Sequence, residues 1–162
     1  MRIAVTGHRD IRGTTMIDVD TALRMLLAEF EDQGAIVGLT CLDEGVDQAF
    51  AKAVLDFEGA IEVIVPAADH RKTLAETNLL EYDRLLGRAA DIRELDYREA
   101  TPEARMAAAV TMLDAADHLL AVWDGAPARL PGGTADVVAA AKDRGLPVTV
   151  VWPDSAERAE PV

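Results

Sequence analysis

The stretch "HLLAVWDGAPARLPGGTADVVAAAKDRGLPVTVVW", residues 118–152, decides the fold class. It begins with an apolar run, His118–Trp123, passes through a loop with glycines and prolines, and continues as a small-residue helix, Thr134–Arg144, that Gly145 ends. Pro147 then begins a second apolar, β-branched run. Neither run alternates polar and apolar residues strictly, which is typical of strands that are buried on both faces. The stretch therefore predicts a strand–helix–strand unit with parallel strands.

The same alternation of strands and helices runs through the whole chain. Short apolar segments predict six strands, at Arg2–Thr6, Ala35–Leu39, Ile61–Val65, Asp91–Leu95, His118–Trp123 and Pro147–Trp152. The segments between them predict five helices, at Thr14–Gln33, Val46–Phe57, Arg71–Arg88, Pro102–Ala116 and Thr134–Arg144. This order indicates a mostly parallel sheet with helices on both faces. We expect residues 1–153 to form a single domain and the polar segment 154–162 to be a C-terminal tail.

Composition and charge limit the classes of function. The chain has 162 residues and a formal net charge of −13. Because non-specific nucleic-acid binding needs a basic surface, this charge argues against a nucleic-acid partner. The single cysteine, Cys41, cannot form an intrachain disulfide, and the acidic residues lack the spacing of a metal site. We expect no metal, no cofactor, no membrane segment and a cytoplasmic location.

Three polar loops follow strands of the predicted sheet. Ligands of such sheets bind beyond the carboxyl ends of the strands, near the point where the strand order reverses. The loops are "TGHRDIRGT" (residues 6–14), "TCLDEGVDQ" (40–48) and "WDGAPARLPGGTAD" (123–136). Each is richer in glycine, aspartate or arginine than the strand before it. Three such loops on one edge of the sheet predict a ligand-binding site.

The first loop contains Gly7, His8, Arg9 and Asp10. A glycine at the end of a strand permits a tight turn that directs backbone amides toward an anion. His8 and Arg9 are candidates to contact a phosphate or a base, and Asp10 is a candidate to hold a ribose hydroxyl or to orient Arg9. The alternative is an ordinary strand–helix turn with an Arg–Asp pair on the surface.

The second loop places Asp43, Glu44 and Asp47 within five positions, together with Gly45. Acidic residues near the start of a helix are favoured by the helix dipole, which accounts for at least one of them without any function. In a binding site, Glu44 would contact a sugar hydroxyl or act as a general base, and Gly45 would permit close approach of the backbone. The sequence of this loop leaves both interpretations open.

The third loop places Gly132 and Gly133 directly before Thr134 and a helix. Free amides at a helix N-terminus form a site for an anion, and Thr134 would either cap the helix or donate to a phosphate. Because glycine pairs are common in loops and the usual dinucleotide and P-loop fingerprints are absent, a simple connection is the alternative. Two further candidates, Asp124 and Gly125, follow the preceding strand.

Four segments taken together resemble a known family. They are "RIAVTGHRD", "TCLDEGVDQAFAKAVL", "IEVIVPAAD" and "ADHLLAVWDGAPARLPGGTADVVAAAKDRGLPVTVVW", and they resemble the SLOG superfamily, which includes DprA-type and LOG-type proteins. The resemblance runs from Arg2 to about Trp152 and is greatest to stand-alone and sensor-type SLOG domains. It implies a three-layer, Rossmann-like α/β fold that binds a small-molecule nucleotide or nucleotide derivative. We expect the protein to be a homo-oligomer.

The resemblance also implies roles for individual residues. The Gly7 turn and the segment 132–134 would hold the phosphate, and Arg9 would pair with it. The ribose hydroxyls would be bound by Asp43, Glu44 or Asp47.

An enzyme is the alternative function that the resemblance implies. LOG-type enzymes cleave the N-glycosidic bond of a nucleoside monophosphate and carry the motif "PGGxGTxxE". Here "PGGTADVV" has Val137 where the glutamate would fall, and Asp136 lies one position earlier, a rotation of about 100° on a helix. Nucleoside deoxyribosyltransferases, which use a carboxylate nucleophile, are similar in the same region. Glu44 and Asp136 are therefore the catalytic candidates for an N-glycosidase or phosphoribohydrolase.

Overall fold

A parallel sheet runs through the centre of the protein in the computed structural model, which describes residues 1–159. Its six strands are β1 (Arg2–Gly7), β2 (Val37–Thr40), β3 (Ala60–Val65), β4 (Asp91–Glu94), β5 (His118–Val122) and β6 (Val148–Val151). They lie in the order β4-β3-β2-β1-β5-β6, and every neighbouring pair is parallel. This is the predicted Rossmann-like α/β class.

Helices cover both faces of this sheet. The five α-helices are α1 (Gly13–Glu31), α2 (Val46–Asp56), α3 (Glu76–Leu86), α4 (Pro102–Ala115) and α5 (Thr134–Asp143). Residues of α1, α2 and α3 share one hydrophobic cluster with the sheet, whereas residues of α4 and α5 belong to a second cluster on the opposite face. The prediction of three layers is confirmed.

Burial of the central strands explains why their sequences are apolar throughout. In β1, Ile3 and Val5 belong to the cluster under α1 and α2, and Ala4 between them belongs to the cluster under α4 and α5. Side chains alternate between the faces of a strand, so a strand covered on both faces needs apolar residues at successive positions. The edge strand β4 is exposed and charged, which disfavours pairing with another sheet.

One helix begins where its local signals predict, and another predicted helix is interrupted by a buried side chain. The Thr101 hydroxyl accepts the Ala104 amide at 3.2 Å, so α4 begins at Pro102 as predicted. The predicted helix Arg71–Arg88 is wrong, because it consists of a 3-10 helix, His70–Thr73, and the separate helix α3. The backbone is extended at residues 74 and 75, and burial of the Leu74 side chain there overrides the helical pattern.

The described part of the predicted tail, residues 154–159, packs on the loop after β1. Ile11 and Arg158 form an antiparallel bridge, and the Glu157 amide donates to the Thr15 hydroxyl at 3.0 Å. Residues 160–162 of the predicted tail lie outside the described residues. Across residues 1–159, none of the helices has the length and apolar character needed to span a bilayer.

Candidate functional site

A cleft of about 670 Å³ opens at the carboxyl ends of the central strands. From β1 the chain continues to β2 on one side, whereas β5 pairs with β1 on the other side, so the strand order reverses here. This is the position at which open α/β sheets bind ligands. The volume also falls within the range of small-molecule sites, roughly 300–1,000 Å³.

All three predicted loops contribute to the walls of this cleft. Ten of the residues singled out from the sequence line it, namely Gly7, His8, Arg9, Asp10, Asp43, Glu44, Asp47, Gly132, Gly133 and Thr134. The three loops therefore meet at one edge of the sheet, where the sequence predicts them. Four other candidates, Gly45, Asp124, Gly125 and Asp136, are not part of the lining.

The two catalytic candidates each bind a neighbouring part of the protein. Glu44 lies at the cleft, but its Oε2 accepts hydrogen bonds from the Asn78 side chain at 2.6 Å and from the Ala75 amide at 3.4 Å. Asp136 lies outside the cleft, and its Oδ2 accepts the Gly132 amide at 2.8 Å. Glu44 therefore connects the loop after β2 to α3, and Asp136 braces the glycine turn before α5.

The remaining three candidates, Gly45, Asp124 and Gly125, do not line the cleft. The Asp124 carboxylate is 3.2 Å from His8 Nε2 and accepts the Ala126 amide at 3.0 Å, so it faces the loop after β5. Gly45 and Gly125 both have positive φ, of 84° and 81°, and turn the chain after β2 and β5. All three belong to loops that contribute other residues to the lining.

Two glycines of the lining are required by close contacts. A Cβ on Gly7 would lie 2.7 Å from the side chain of Val46, the first residue of α2. Gly132 has a φ of 78°, and a Cβ there would lie 2.9 Å from the Pro102 carbonyl oxygen at the start of α4. Both contacts bring a helix N-terminus, with its partial positive charge, to the edge of the cleft.

On the β2 side of the cleft, Asp43, Asp47, His70 and Arg105 form what we term the Asp43 cluster. Arg105 Nη1 lies 2.7 Å from Asp43 Oδ2, and the two side chains are only 18% and 16% exposed. Asp47 Oδ2 accepts the amides of Cys41 at 3.3 Å and Asp43 at 3.4 Å. The fully buried His70 has its Nε2 3.0 Å from the Cys41 carbonyl oxygen. The cluster thus joins the loop after β2 to α4 and to the 3-10 helix.

Burial dominates the electrostatics of this cluster. Desolvation, together with the neighbouring Asp43 carboxylate, raises the pKa of Asp47 to about 7. Desolvation also lowers the pKa of His70, which favours a neutral imidazole. Within residues 1–159, Asp43 Oδ1 and His70 Nδ1 are buried without a hydrogen-bond partner. Such unsatisfied atoms carry a cost, so the cluster is a strained part of the protein.

The backbone of the same loop is strained as well. Leu42 has a φ of 56° although it is not a glycine, and its side chain is fully buried. Non-glycine residues in this region cost of the order of 1–3 kcal/mol and concentrate at functional sites. The Leu42 amide donates to the Thr40 hydroxyl at 3.0 Å, which helps to hold this conformation.

On the β5 side of the cleft, Asp10, Asp124, Arg129 and Arg158 form what we term the Asp10 cluster. Asp10 accepts from Arg129 at 2.6 Å and from Arg158 at 3.0 Å, one on each carboxylate oxygen. Arg158 Nη1 also lies 3.5 Å from Asp124 Oδ2. Desolvation and the Arg158 charge lower the pKa of the adjacent His8, which favours its neutral form.

Three arginines of the lining, Arg105, Arg129 and Arg158, were not predicted from the sequence. Arg129 lies within the third quoted loop, so its position was a usable signal. Arg105 is an ordinary surface-type residue in the first turns of α4, and Arg158 belongs to the segment predicted as a tail. Nothing in the local sequence indicates that either reaches the cleft. Within residues 1–159, no group of three or more His, Cys, Asp or Glu side chains is arranged to hold a metal ion.

The fold and the cleft together define a Rossmann-like α/β protein with a candidate ligand-binding cleft at the point where the strand order reverses. Comparison with solved structures agrees with this class. The DNA processing protein A (DprA) of Streptococcus pneumoniae matches with a TM-score of 0.65 and 17% identity, covering 95% of this chain and 50% of that protein. DprA of Helicobacter pylori matches with a TM-score of 0.64 and 18% identity, covering 98% of this chain and 68% of that protein.

These likenesses establish a DprA-like fold. This chain spans only about half the length of the pneumococcal protein. No family model matches the chain, and no curated protein matches it. The finer assignment to stand-alone or sensor-type SLOG domains stays a prediction.

The exclusion of a nucleic-acid partner from net charge is wrong. The Helicobacter pylori protein, which shares this fold, is known for a single-stranded DNA binding mode. The physical reason is that a net charge of −13 sums over the whole chain, whereas a ligand meets only the cleft. The cleft is lined by four arginines, Arg9, Arg105, Arg129 and Arg158, and by four acidic residues, Asp10, Asp43, Glu44 and Asp47.

Proposed function

We propose that the strand-end cleft binds a nucleotide through its phosphate. The phosphate would lie between the turn Gly7–Arg9 after β1 and the segment Gly132–Thr134 at the start of α5. The observation that carries this proposal is that both segments line the same cleft. The amides of Gly132 and Gly133 already donate to the Asp136 carboxylate and to the Leu130 carbonyl. The donors that this segment offers to an anion are therefore the first amides of α5, which have no intrahelical acceptor.

The charge of the cleft supports an anionic ligand. Its four arginines equal its four acidic residues in number, although the whole chain is strongly acidic. One of those acidic residues, Asp47, has a pKa of about 7, so its negative charge is only partly present at neutral pH. In addition, the dipoles of α2, α4 and α5 have their positive ends at this edge. The local field therefore favours a phosphate more than the net charge suggests.

The shape of the cleft supports a ligand larger than phosphate. With the phosphate at the Gly132–Thr134 end, the sugar and base would extend toward the wall formed by Asp43 and Arg105, which also belongs to the lining. Since a protein of the same fold has a single-stranded DNA binding mode, the nucleotide is either free or one unit of a single strand. Both sources present the same phosphate and sugar.

Catalysis by Glu44 or Asp136, as an N-glycosidase or phosphoribohydrolase, stays the alternative prediction. Binding is the better supported proposal, because both carboxylates are engaged by hydrogen bonds to the protein. The division into a domain of residues 1–153 and a tail of residues 154–162 stays a prediction from the sequence. Self-association and a cytoplasmic location stay predictions from the sequence.

A thermal-shift panel tests the proposed function. It would contain AMP, GMP, CMP and UMP, adenosine as the control without a phosphate, and an oligodeoxythymidylate. A ligand at 100 times its Kd stabilises the native state by about 2.7 kcal/mol. For a domain of this size that raises Tm by roughly 5–10 °C. A shift with a mononucleotide but not with adenosine supports a free nucleotide, and a shift with the oligonucleotide alone identifies a strand.

Matched variants locate the site within the same panel. Thr134→Val removes a hydroxyl at the start of α5, and we expect it to reduce the nucleotide-dependent shift. Thr111→Val is the control, because Thr111 is a partly buried residue of α4 whose hydroxyl donates to the Ala107 carbonyl, and it does not line the cleft. The absence of any shift with all nucleotides would refute the proposal. Release of free base from AMP would establish the enzyme alternative.

A further inference from the structure

The C-terminal segment, residues 155–159, forms part of the cleft. It runs antiparallel to the loop after β1, through the Ile11–Arg158 bridge and a hydrogen bond from the Ala159 amide to the Asp10 carbonyl. On the outer side, an exposed ion pair joins Arg12 and Glu157 at 2.9 Å. The segment thereby brings Arg158 into the lining of the cleft.

Arg158 is held in one orientation from two sides. Its side chain is only 12% exposed. Its Nε lies 3.0 Å from Asp10 Oδ1, and its Nη1 lies 3.5 Å from Asp124 Oδ2. A guanidinium has five N–H donors in a planar arrangement, and Nη2 of the cleft-lining Arg158 takes part in neither of these two contacts. A guanidinium fixed in this way is suited to bind a phosphate oxygen.

Arg158 shares its carboxylate partner with a second arginine. Arg129 and Arg158 each contact one oxygen of Asp10. Asp124, the other carboxylate of the Asp10 cluster, is also engaged by the Ala126 amide. Arg158 therefore has no carboxylate to itself, and a phosphate oxygen would give its guanidinium a further charged acceptor.

We propose that residues 155–159 are a component of the binding site, in which Arg158 binds the phosphate of the ligand. This inference rests on the proposed function and deepens it. Because Arg158 reaches the cleft only when the segment is packed on the loop after β1, phosphate binding and packing of the segment stabilise each other. Such coupling is reciprocal by thermodynamic linkage.

Equilibrium titrations of the full chain with inorganic phosphate, AMP and adenosine test this proposal. Intrinsic fluorescence is a suitable signal, since the Trp152 ring packs edge-to-face with the cleft-lining His8, at a centroid distance of 5.7 Å. We expect Arg158→Ala to weaken binding of phosphate and AMP by about tenfold or more, the usual effect of losing a charged hydrogen bond. Arg12→Ala is the matched control, because it removes only the exposed ion pair to Glu157, and its affinities should stay within about threefold of wild type.

Hydrogen exchange provides a second measurement, because it reports directly whether ligand binding stabilises the packed segment. The amides of residues 155–159 should exchange more slowly in the presence of AMP in the wild type, and this protection should be absent in Arg158→Ala. If Arg158→Ala binds phosphate and AMP as tightly as the wild type, and AMP does not protect the segment, this inference is overturned while nucleotide binding stands. If the wild type binds none of the nucleotides of the panel, both proposals are overturned.

Discussion

The two clusters on either side of the cleft contain the same kinds of residue but differ in how the arginines are paired. In the Asp43 cluster, Arg105 and Asp43 pair with each other, and both side chains are more than four-fifths buried. In the Asp10 cluster, Asp10 is 35% exposed and is shared by two arginines, of which Arg158 is as buried as Arg105 and Arg129 is more exposed. A buried one-to-one pair depends on both partners, whereas arginines that share a carboxylate can also bind an anionic ligand. We therefore propose that the Asp43 cluster holds the loop after β2 and that the Asp10 cluster binds the phosphate.

Removal of the Asp43 carboxylate tests whether the Asp43 cluster stabilises the fold. Asp43→Ala would leave Arg105 largely buried without its partner, and we expect a loss of about 3 kcal/mol in the free energy of unfolding. Urea denaturation measures this change. The control is Asp114→Ala, which breaks the exposed Arg144–Asp114 pair and should cost less than about 1 kcal/mol. A stability of Asp43→Ala equal to that of the control would refute a structural role for the cluster.

A pair of glycine variants tests how closely the phosphate end of the cleft is packed. Gly132 and Gly125 have nearly the same φ, 78° and 81°, but only Gly132 has a neighbour in the way of a Cβ. We expect Gly125→Ala to cost about 1 kcal/mol, from the left-handed conformation alone. Gly132→Ala should cost about 2–3 kcal/mol, because contact with the Pro102 carbonyl is added. Equal costs in thermal or urea unfolding would show that this contact does not matter.

The pKa of Asp47 predicts a further effect on stability, which depends on pH. Its native pKa of about 7 lies above the ordinary aspartate value of 3.8, so between these values the native state binds more protons than the unfolded state. The free energy of unfolding should therefore fall as pH rises from about 4 to about 7, by about 1.4 kcal/mol for each unit of pKa difference. The fall should continue through the native pKa and level off at about pH 8, where Asp47 is mostly ionised in both states.

Asp47→Asn is the variant that isolates this effect. Asparagine keeps an acceptor for the amides of Cys41 and Asp43 but carries no charge. Measured by urea denaturation at pH 5, 6, 7 and 8, its stability should rise relative to wild type as pH increases to 7. Parallel pH profiles for the two proteins would contradict the raised pKa.

The fold could be predicted because its signals are local. Buried parallel strands are continuous apolar runs, and the ends of helices carry markers such as Thr101, Pro102 and Gly145. The break at residues 74 and 75 carries no glycine or proline, and only the burial of Leu74 and the contact of Glu44 with α3 produce it. That error arises because tertiary contacts override local propensity.

The loops of the candidate site could be predicted from the sequence, but two of the arginine side chains that line it could not. The loops that contain Gly7, Asp43 and Gly132 follow from the rule for strand ends. The arginines Arg105 and Arg158 could not be found, since they reach the cleft from elements far apart in the sequence. The same reason accounts for the error over nucleic acid, because net charge does not describe how charges are distributed around a cleft.

Backbone amide NMR during titration with AMP is the most direct test of the central claim. A cleft that binds the phosphate should give saturable shifts at Gly7, Arg9 and residues 132–134, and adenosine should not reproduce them. The second groove, about 420 Å³ between α1 and β6, is lined by Met25 and Val150 and provides an internal control. Saturable shifts confined to that groove, or none at the two glycine turns, would contradict the account.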